Sequence, residues 1–269
     1  MNEMITSSSN IMIKEIKSLY RKKDRWTKKS FFIEGIRAVE ESILSNAKIS
    51  YIVYSDMLFH IKGGEELLKK IQSSNYKLNY ISDKLFKEIS DTEKPQGILA
   101  VVEYDLKTID NILKEKDNFI ILLDRLQDPG NMGTIIRTAD AFGSNGVIVT
   151  EGCVDVFNPK TIRSTMGSIF HIPILYYKSS NEAIRDLKDK GIRVVTTSLD
   201  AKEFCFDVDF IRDFALIIGN EASGVSEEVI ADSDLLIKIP MPGNAESLNA
   251  AIASSVIMYE ALRQRQSRD

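Results

Sequence analysis

Three stretches of the chain concentrate the side chains that could do chemistry. The first, Asp128-Pro-Gly-Asn-Met-Gly-Thr-Ile-Ile-Arg137, offers an amide at Asn131 and a guanidinium at Arg137. Asp128 and Pro129 can start a turn, Gly130 and Gly133 allow close backbone approach, and Asn131 suits a helix cap. The second, Ile218-Gly-Asn-Glu-Ala-Ser-Gly-Val-Ser226, places Glu221 between Gly219 and Gly224. That composition suits a loop that wraps closely around a ligand and presents backbone amides and carbonyls to it. The third, Ile239-Pro-Met-Pro-Gly-Asn-Ala-Glu-Ser-Leu-Asn249, brings Glu246, Ser247 and Asn249 to the start of an alanine-rich segment. Taken singly, each stretch is also an ordinary turn or cap. Neither GxGxxG nor GxxxxGK[ST] occurs, so the chemistry is not that of a dinucleotide fingerprint or a phosphate-gripping loop.

The elements that would position these groups are short apolar runs. FIILL at 119–123, GVIVT at 146–150, IPILY at 172–176, IRVVT at 192–196, FALII at 214–218 and LLIKI at 235–239 read as strands of a largely parallel sheet covered by helices. Helices are expected to start near Asn131, Pro159, Asn181 and Ser226, with a last one from about Ser247 to Arg263. Each of the three stretches then follows a strand, at the edge where open parallel sheets gather their ligands. Upstream, FFIEG, IRAVEESILS, YIVYS, EELLKKIQ, KLNYI, DKLFKEIS and GILAVVEY alternate as in a smaller α/β domain, and LKTIDNILKEKD reads as a helical link.

Near the amino terminus, Lys14, Lys17, Arg21, Lys22, Lys23, Arg25, Lys28 and Lys29 place eight basic residues within sixteen positions, against only Glu15 and Asp24. Interleaved with Ile11, Ile13, Ile16, Leu19, Trp26 and Phe31, they suit a short amphipathic helix running into a basic turn, after a mobile first dozen residues. The cluster is either a solvated helix face or an RNA-binding surface whose phosphate contacts release counterions. Trp26 is a candidate for base stacking or for packing, His171 for a structural role, and Met166 and Met241 for gap filling. Arg263, Arg265 and Arg268 near the end are open to either RNA contact or a frayed helix end.

Composition narrows the field. With 269 residues, 43% hydrophobic and 28% charged, the chain can bury sizeable cores, and two domains are expected. A net charge of −4 leaves room for a local basic face but not for a uniformly cationic surface. No apolar run approaches the roughly 20 residues of a membrane span, and MNEMITSSSN does not read as a secretory signal, so a cytoplasmic protein without membrane attachment is expected. Cys153 and Cys205 read as free thiols, and with His60 and His171 the only histidines no metal site is assigned, although counts leave a carboxylate-rich magnesium site open.

Together the three stretches, NMGTIIRTADAFG, IIGNEASGVS and IPMPGNAESLNAAIA, resemble the signature motifs of the SpoU/TrmH branch of the SPOUT RNA methyltransferases, in order and on strand ends over roughly residues 118–263. KSLYRKK and FFIEGIRAVEE look like the substrate-binding domain that precedes the catalytic domain in many of these enzymes, so the resemblance covers nearly the whole chain. It implies an α/β architecture: an L30e-like RNA-binding domain at 1–105 with the basic helix, a linker at 106–117, and a SPOUT domain at 118–269 with a deep trefoil knot, against the usual unknotted topology. It further implies binding of S-adenosylmethionine in the knot and homodimerisation through the catalytic domain.

By the same resemblance the active-site set is Asn131, Arg137, Glu221, Ser247 and Asn249, with methyl-donor contacts from Thr197, Ile218, Gly219, Asn220, Gly224, Ile239, Met241, Ser247 and Leu248. The implied reaction is methyl transfer to a ribose 2′-hydroxyl of structured RNA, which needs two bound reactants held in line. Arg137 is assigned to proton removal, yet a guanidinium with a reference pKa above about 12 is a poor base, so an orienting role toward hydroxyl and phosphate is the expectation. Glu221 would fix Arg137 or shape the knot loop. The expected substrate is 23S rRNA. Transfer RNA, a noncatalytic RNA-binding module and a small-molecule methyltransferase are the alternatives.

Overall fold

The computed structural model describes residues 3–267. The chain divides into two compact units, one of residues 1–105 with 157–170, the other of 106–156 with 171–269. In the first unit, helices α1 (Ile11–Ser18) and α2 (Lys22–Lys28) precede strand β1 (Ser30–Glu34) and helix α3 (Ile36–Leu44). There follow β2 (Ile49–Tyr54), α4 (Gly64–Gln72), β3 (Leu78–Tyr80), α5 (Asp83–Ile89) and β4 (Ile98–Glu103). The strands form one sheet in the order β1-β4-β2-β3, with only the β2–β3 pair parallel.

Apolar residues at helical spacing explain why α1 forms and where it docks. Ile13, Ile16 and Leu19 are fully buried and join Leu85, Phe86 and Ile89 over the sheet residues Phe32, Val53, Leu99 and Val101. The Asn10 side chain caps α1 by accepting from the Met12 amide at 2.9 Å. Two expectations change here. The basic turn is a second helix, α2, ended by Lys29 in the left-handed conformation at φ 49°. Within the first dozen residues, Ile5 is held to the sheet edge by its amide's bond to the Tyr80 carbonyl at 2.9 Å.

The segment 157–170, which interrupts the second unit in sequence, is part of the first unit in space. Its Phe157 stacks on Tyr104 at 3.7 Å and on Phe31 at 5.2 Å, with Trp26 edge-on at 6.1 Å. Trp26 therefore packs within an aromatic cluster. Arg163 of the same segment pairs with Asp91.

The second unit contains strand β5 (Phe119–Leu123), helix α6 (Pro129–Ala141) and strand β6 (Gly146–Thr150), followed in sequence by the first unit's helix α7 (Pro159–Thr165). It resumes with β7 (Ile174–Tyr177), α8 (Ser180–Asp189), β8 (Arg193–Thr197), β9 (Glu203–Phe204), β10 (Phe214–Ile218), α9 (Glu227–Ala231), β11 (Leu235–Lys238) and α10 (Ala250–Gln266). Seven parallel strands run in the order β7-β6-β5-β10-β8-β11-β9, so β10 inserts between two strands that precede it in the chain. Ile120, Leu122, Ile148, Val194, Ala215 and Ile217 pack against Ala183, Ile184 and Leu187 of α8. Their alternates Ile121, Val147, Val149 and Leu216 are buried as well, so both faces of the sheet are covered and the strands read as continuous apolar runs.

The expected helical link at 106–117 is corrected. Its regular part is a single 3-10 turn, Ile109–Asn111, and Ile109 and Ile112 are buried in the core of the second unit. The Thr108 amide and hydroxyl both donate to the Asn111 side chain, and the Lys107 amide bonds the Ile174 carbonyl at 3.0 Å, which ties the segment to β7 instead of leaving it a linker. Met166 is exposed at φ 52° and fills no core gap. No helix among the described residues is long and apolar enough to cross a membrane.

Candidate active site

Parallel pairing aligns the carboxyl ends of β5, β10, β8 and β11, and from them leave the loops that carry the three stretches. The Asp124 amide bonds the Ile218 carbonyl at 2.9 Å, which sets the first two loops side by side. After β5 the chain enters α6 under an Asp128 cap, whose carboxylate accepts the Asn131 amide at 2.8 Å, with Pro129 at the first helical position. The cap is thus Asp128, correcting the expectation for Asn131. That leaves the Asn131 side chain free for a different job.

That job is to join the three loops. Glu221 accepts from the Gln127 amide at 3.0 Å, the Asp128 amide at 2.9 Å and Asn131 Nδ2 at 3.0 Å. Asn131 Oδ1 accepts from Asn249 Nδ2 at 2.9 Å, and Asn249 Oδ1 caps α10 by accepting the Ala251 and Ile252 amides at 2.9 and 3.2 Å. Because one end is a carboxylate and the other a pair of backbone N–H groups, the orientation of both amides is fixed by the chain of bonds. Partial desolvation pushes the Glu221 carboxyl upward, but the bonds donated by Asn131 and the two amides outweigh it and leave its pKa below the usual range.

The second loop is closed on itself. The Asn220 amide bonds the Gly224 carbonyl at 3.0 Å and the Gly224 amide returns a bond at 2.9 Å. A Cβ on Gly219 would lie 2.5 Å from the Gly224 carbon and the Val225 nitrogen, so only glycine fits there. Beside this loop lies a pocket of about 420 Å³. Thr197, Ile218, Gly219, Asn220, Gly224, Ile239, Met241, Ser247 and Leu248 all line it, together with Glu221 and Ala253 and Ile257 of α10. The volume and the mixture of apolar walls with exposed main chain suit a small organic ligand.

Other expected site residues fall elsewhere. Arg137 stands exposed on α6, and among the described residues no hydrogen bond or ion pair engages its guanidinium; Glu221 does not hold it. The Met241 side is pocket wall, whereas His171 pairs with Asp140 at 3.2 Å. Of the basic cluster, Lys14, Lys22, Lys23 and Lys29 are exposed without an ion partner among the described residues. Lys17 bonds Glu88 at 2.8 Å, Arg21 bonds Asp24 at 2.6 Å and Lys28 bonds the Ser18 hydroxyl at 2.9 Å. Arg25 corrects its assignment: it is 2% exposed and donates to the Leu19 carbonyl at 2.6 Å, so it joins α2 to α1 and is not available to RNA. Arg265 likewise is structural, donating to the Phe210, Asp117 and Asn118 carbonyls at 2.9, 2.7 and 3.0 Å, and Arg263 pairs with Glu260. Arg268 lies outside the described residues. Sequence reasoning missed Asp124 and Arg125, the first residues beyond β5; a charged pair directly after a fully apolar strand was the available signal.

This arrangement defines a ligand-binding α/β domain, with a pocket at strand ends and a bonded set of polar groups at its edge. The model of the SpoU rRNA Methylase family matches residues 118–259, and that of the MRM3-like substrate binding domain matches residues 10–100. The chain belongs to the SpoU rRNA methylase family. It is 34% identical to the 23S rRNA (guanosine(2553)-2′-O)-methyltransferase RlmP of Bacillus subtilis strain 168, over 96% of this chain and 98% of the relative. To the 23S rRNA (uridine(2479)-2′-O)-methyltransferase of Streptomyces viridochromogenes it is 33% identical, over 96% and 92%. The structure of an AdoMet-bound rRNA methyltransferase from Sinorhizobium meliloti superposes with a TM-score of 0.86 at 32% identity, covering 97% of both chains.

Proposed function

We propose that this protein methylates a ribose 2′-hydroxyl of 23S rRNA with S-adenosylmethionine as methyl donor. The observation that carries the reading is the bonded chain Glu221–Asn131–Asn249, which ties all three motif loops together beside a pocket of about 420 Å³. The donor supplies an electrophilic methyl group on a sulfonium. Ile218, Ile239, Met241 and Leu248 offer it apolar walls, Thr197 and Ser247 hydroxyls, and Gly219, Asn220 and Gly224 the edge formed by the closed loop.

The remaining work falls to positioning. Asn131 and Asn249, held by Glu221, keep the ends of α6 and α10 in register at the pocket. Ser247 holds the substrate hydroxyl near the departing proton. Arg137, exposed and without a bonded partner among the described residues, orients the ribose hydroxyl and its adjacent phosphate through directed N–H donors, the role that a guanidinium performs better than proton abstraction. The first unit gathers the RNA through Lys14, Lys22, Lys23 and Lys29, joined by Lys17, Arg21 and Lys28 when phosphates displace their present partners.

The same reading makes the protein a cytoplasmic homodimer. Ile252, Val256 and Tyr259 stand exposed on α10 at i, i+4 and i+7, an apolar stripe suited to a second copy, and both cysteines are free and buried, which suits a reducing compartment. Site-resolved mapping of 2′-O-methylation in total RNA, with and without the gene and after complementation by wild type or Arg137→Ala, tests the function. Loss of one 23S rRNA mark, restored only by wild type, is the expected result. A missing tRNA mark would overturn the substrate, and purified protein that binds S-adenosylmethionine but no RNA would overturn the RNA reading.

A further inference from the structure

Asp124 and Arg125 lie directly beyond β5, and no role has been given above to their side chains. Asp124 is 4% exposed, and its carboxylate is fully engaged: Oδ1 accepts the Ser180 hydroxyl at 2.6 Å, while Oδ2 accepts Arg125 Nε at 3.3 Å and Nη2 at 3.2 Å. Ser180 is itself buried, at the start of α8. A buried carboxylate is tolerated only with such partners, so the pair is a built feature of the strand end. Arg125 adopts φ 55°, a conformation that costs any residue other than glycine and persists where the surroundings over-determine it.

Arg125 reaches the pocket loop at both of its ends. Its carbonyl accepts Asn220 Nδ2 at 2.9 Å, and its Nη2 donates to the Gly224 carbonyl at 3.4 Å. Asn220 and Gly224 are the two residues whose reciprocal backbone bonds close that loop, and both line the pocket. A continuous path thus runs from α8 through Ser180, Asp124 and Arg125 to the pocket wall.

We infer that Asp124 is a positioning residue for methyl-donor binding: it holds the Arg125 guanidinium, and Arg125 clamps the Asn220–Gly224 loop in the shape that receives the donor. The inference rests on the reading of this pocket as the S-adenosylmethionine site. A loop already held in its bound form loses little freedom on binding, so removing the clamp weakens affinity more than it slows transfer at saturation.

The test uses the full chain with Asp124→Asn, Arg125→Met and the double variant. Asp124→Asn keeps shape and an acceptor for Ser180 but removes the charge facing Arg125, whereas Arg125→Met leaves the buried Asp124 carboxylate with Ser180 alone; the double variant buries no charge, so it keeps the test open if the Arg125 single folds poorly. Calorimetric binding of S-adenosylmethionine is expected to weaken about tenfold in each single variant, with the double no weaker than the worse single, because both break one path. Arg125→Lys should recover part of the loss. Hydrogen exchange at the Ala222, Ser223 and Gly224 amides should speed up in each variant without any ligand. Wild-type affinity in both singles, or losses that multiply in the double, would overturn the inference. A wild-type chain that bound no S-adenosylmethionine would instead overturn the pocket's assignment, and the exchange rates alone would then decide whether the clamp exists.

Discussion

The loops at the strand ends and the two amino-terminal helices are both rich in polar side chains, yet they spend them in opposite ways. In the loops, Glu221, Asn131, Asn249 and Asn220 satisfy one another or nearby main chain, Asp124 is held by Ser180 and Arg125, and glycine is required where backbones meet. On α1 and α2 most of the cations stand in solvent or in exposed pairs with a single partner. The first pattern pre-organises a pocket for a small ligand, since groups already bonded need no rearrangement when it arrives. The second suits a polyanion recognised by charge, for which a fixed geometry is unnecessary. Arg137 is the exception among the motif residues, an exposed cation on α6 with no bonded partner among the described residues.

That contrast can be broken at several points. The largest effect is expected from Arg137→Ala, which should lower single-turnover methylation by about 10³-fold while leaving S-adenosylmethionine affinity within about twofold, as a group acting on the substrate hydroxyl would. Near-normal chemistry in that variant would remove Arg137 from the centre of the mechanism. Phe157→Ala should cost about 3 kcal/mol or more of stability by emptying the aromatic cluster of Trp26, Phe31 and Tyr104. Thermal unfolding followed by Trp26 fluorescence reads it, and an unchanged transition would mean the segment is not integral to the first unit.

A smaller effect, about tenfold in donor affinity, is expected from Asn131→Ala, which cuts the bonded chain in the middle. The pH dependence sharpens the same point. Glu221 titrates below the ordinary carboxylate range, so the stability its bonds contribute is present above that range and is lost as pH falls through its lowered folded value. Stability measured from pH 6 down to pH 3 should therefore fall less steeply in Glu221→Gln than in wild type, and parallel profiles would contradict the bonding pattern. The smallest effect belongs to the helices. Reversing Lys22 and Lys23 to Glu should weaken RNA binding a few-fold and flatten its salt dependence by about one unit per lost phosphate contact, with S-adenosylmethionine binding untouched.

Much of this was legible in the residues, for physical reasons. FIILL and FALII are apolar throughout because both faces of the sheet are covered, and each matches its strand residue for residue at Phe119–Leu123 and Phe214–Ile218. The pocket lining was legible through the motifs because loops at strand ends keep their backbone shape with few residues. What escaped were features that depend on how the chain turns. Arg25 looks like any other cation of the charge run, and it is buried only because the turn between α1 and α2 brings it onto the Leu19 carbonyl. LKTIDNILKEKD carries a helical pattern, but burial of Ile109 and Ile112 against the second unit overrides it. The Asn131–Asn249 bond joins residues 118 positions apart, and no local periodicity encodes that contact.

The path of the chain through 157–170 bears on how this molecule could be taken apart. Because that segment lies within the methylase half of the sequence but in the first unit of the structure, the backbone passes between the units three times: after Asp105, after Val156 and after Phe170. A gene fusion that exchanged residues 1–105 for another module would leave Phe157 and Arg163 behind without Tyr104, Phe31 and Asp91. Exchanging the first unit between relatives therefore requires two cassettes moved together, and a single protease cut at residue 105 would nick the protein without releasing either half.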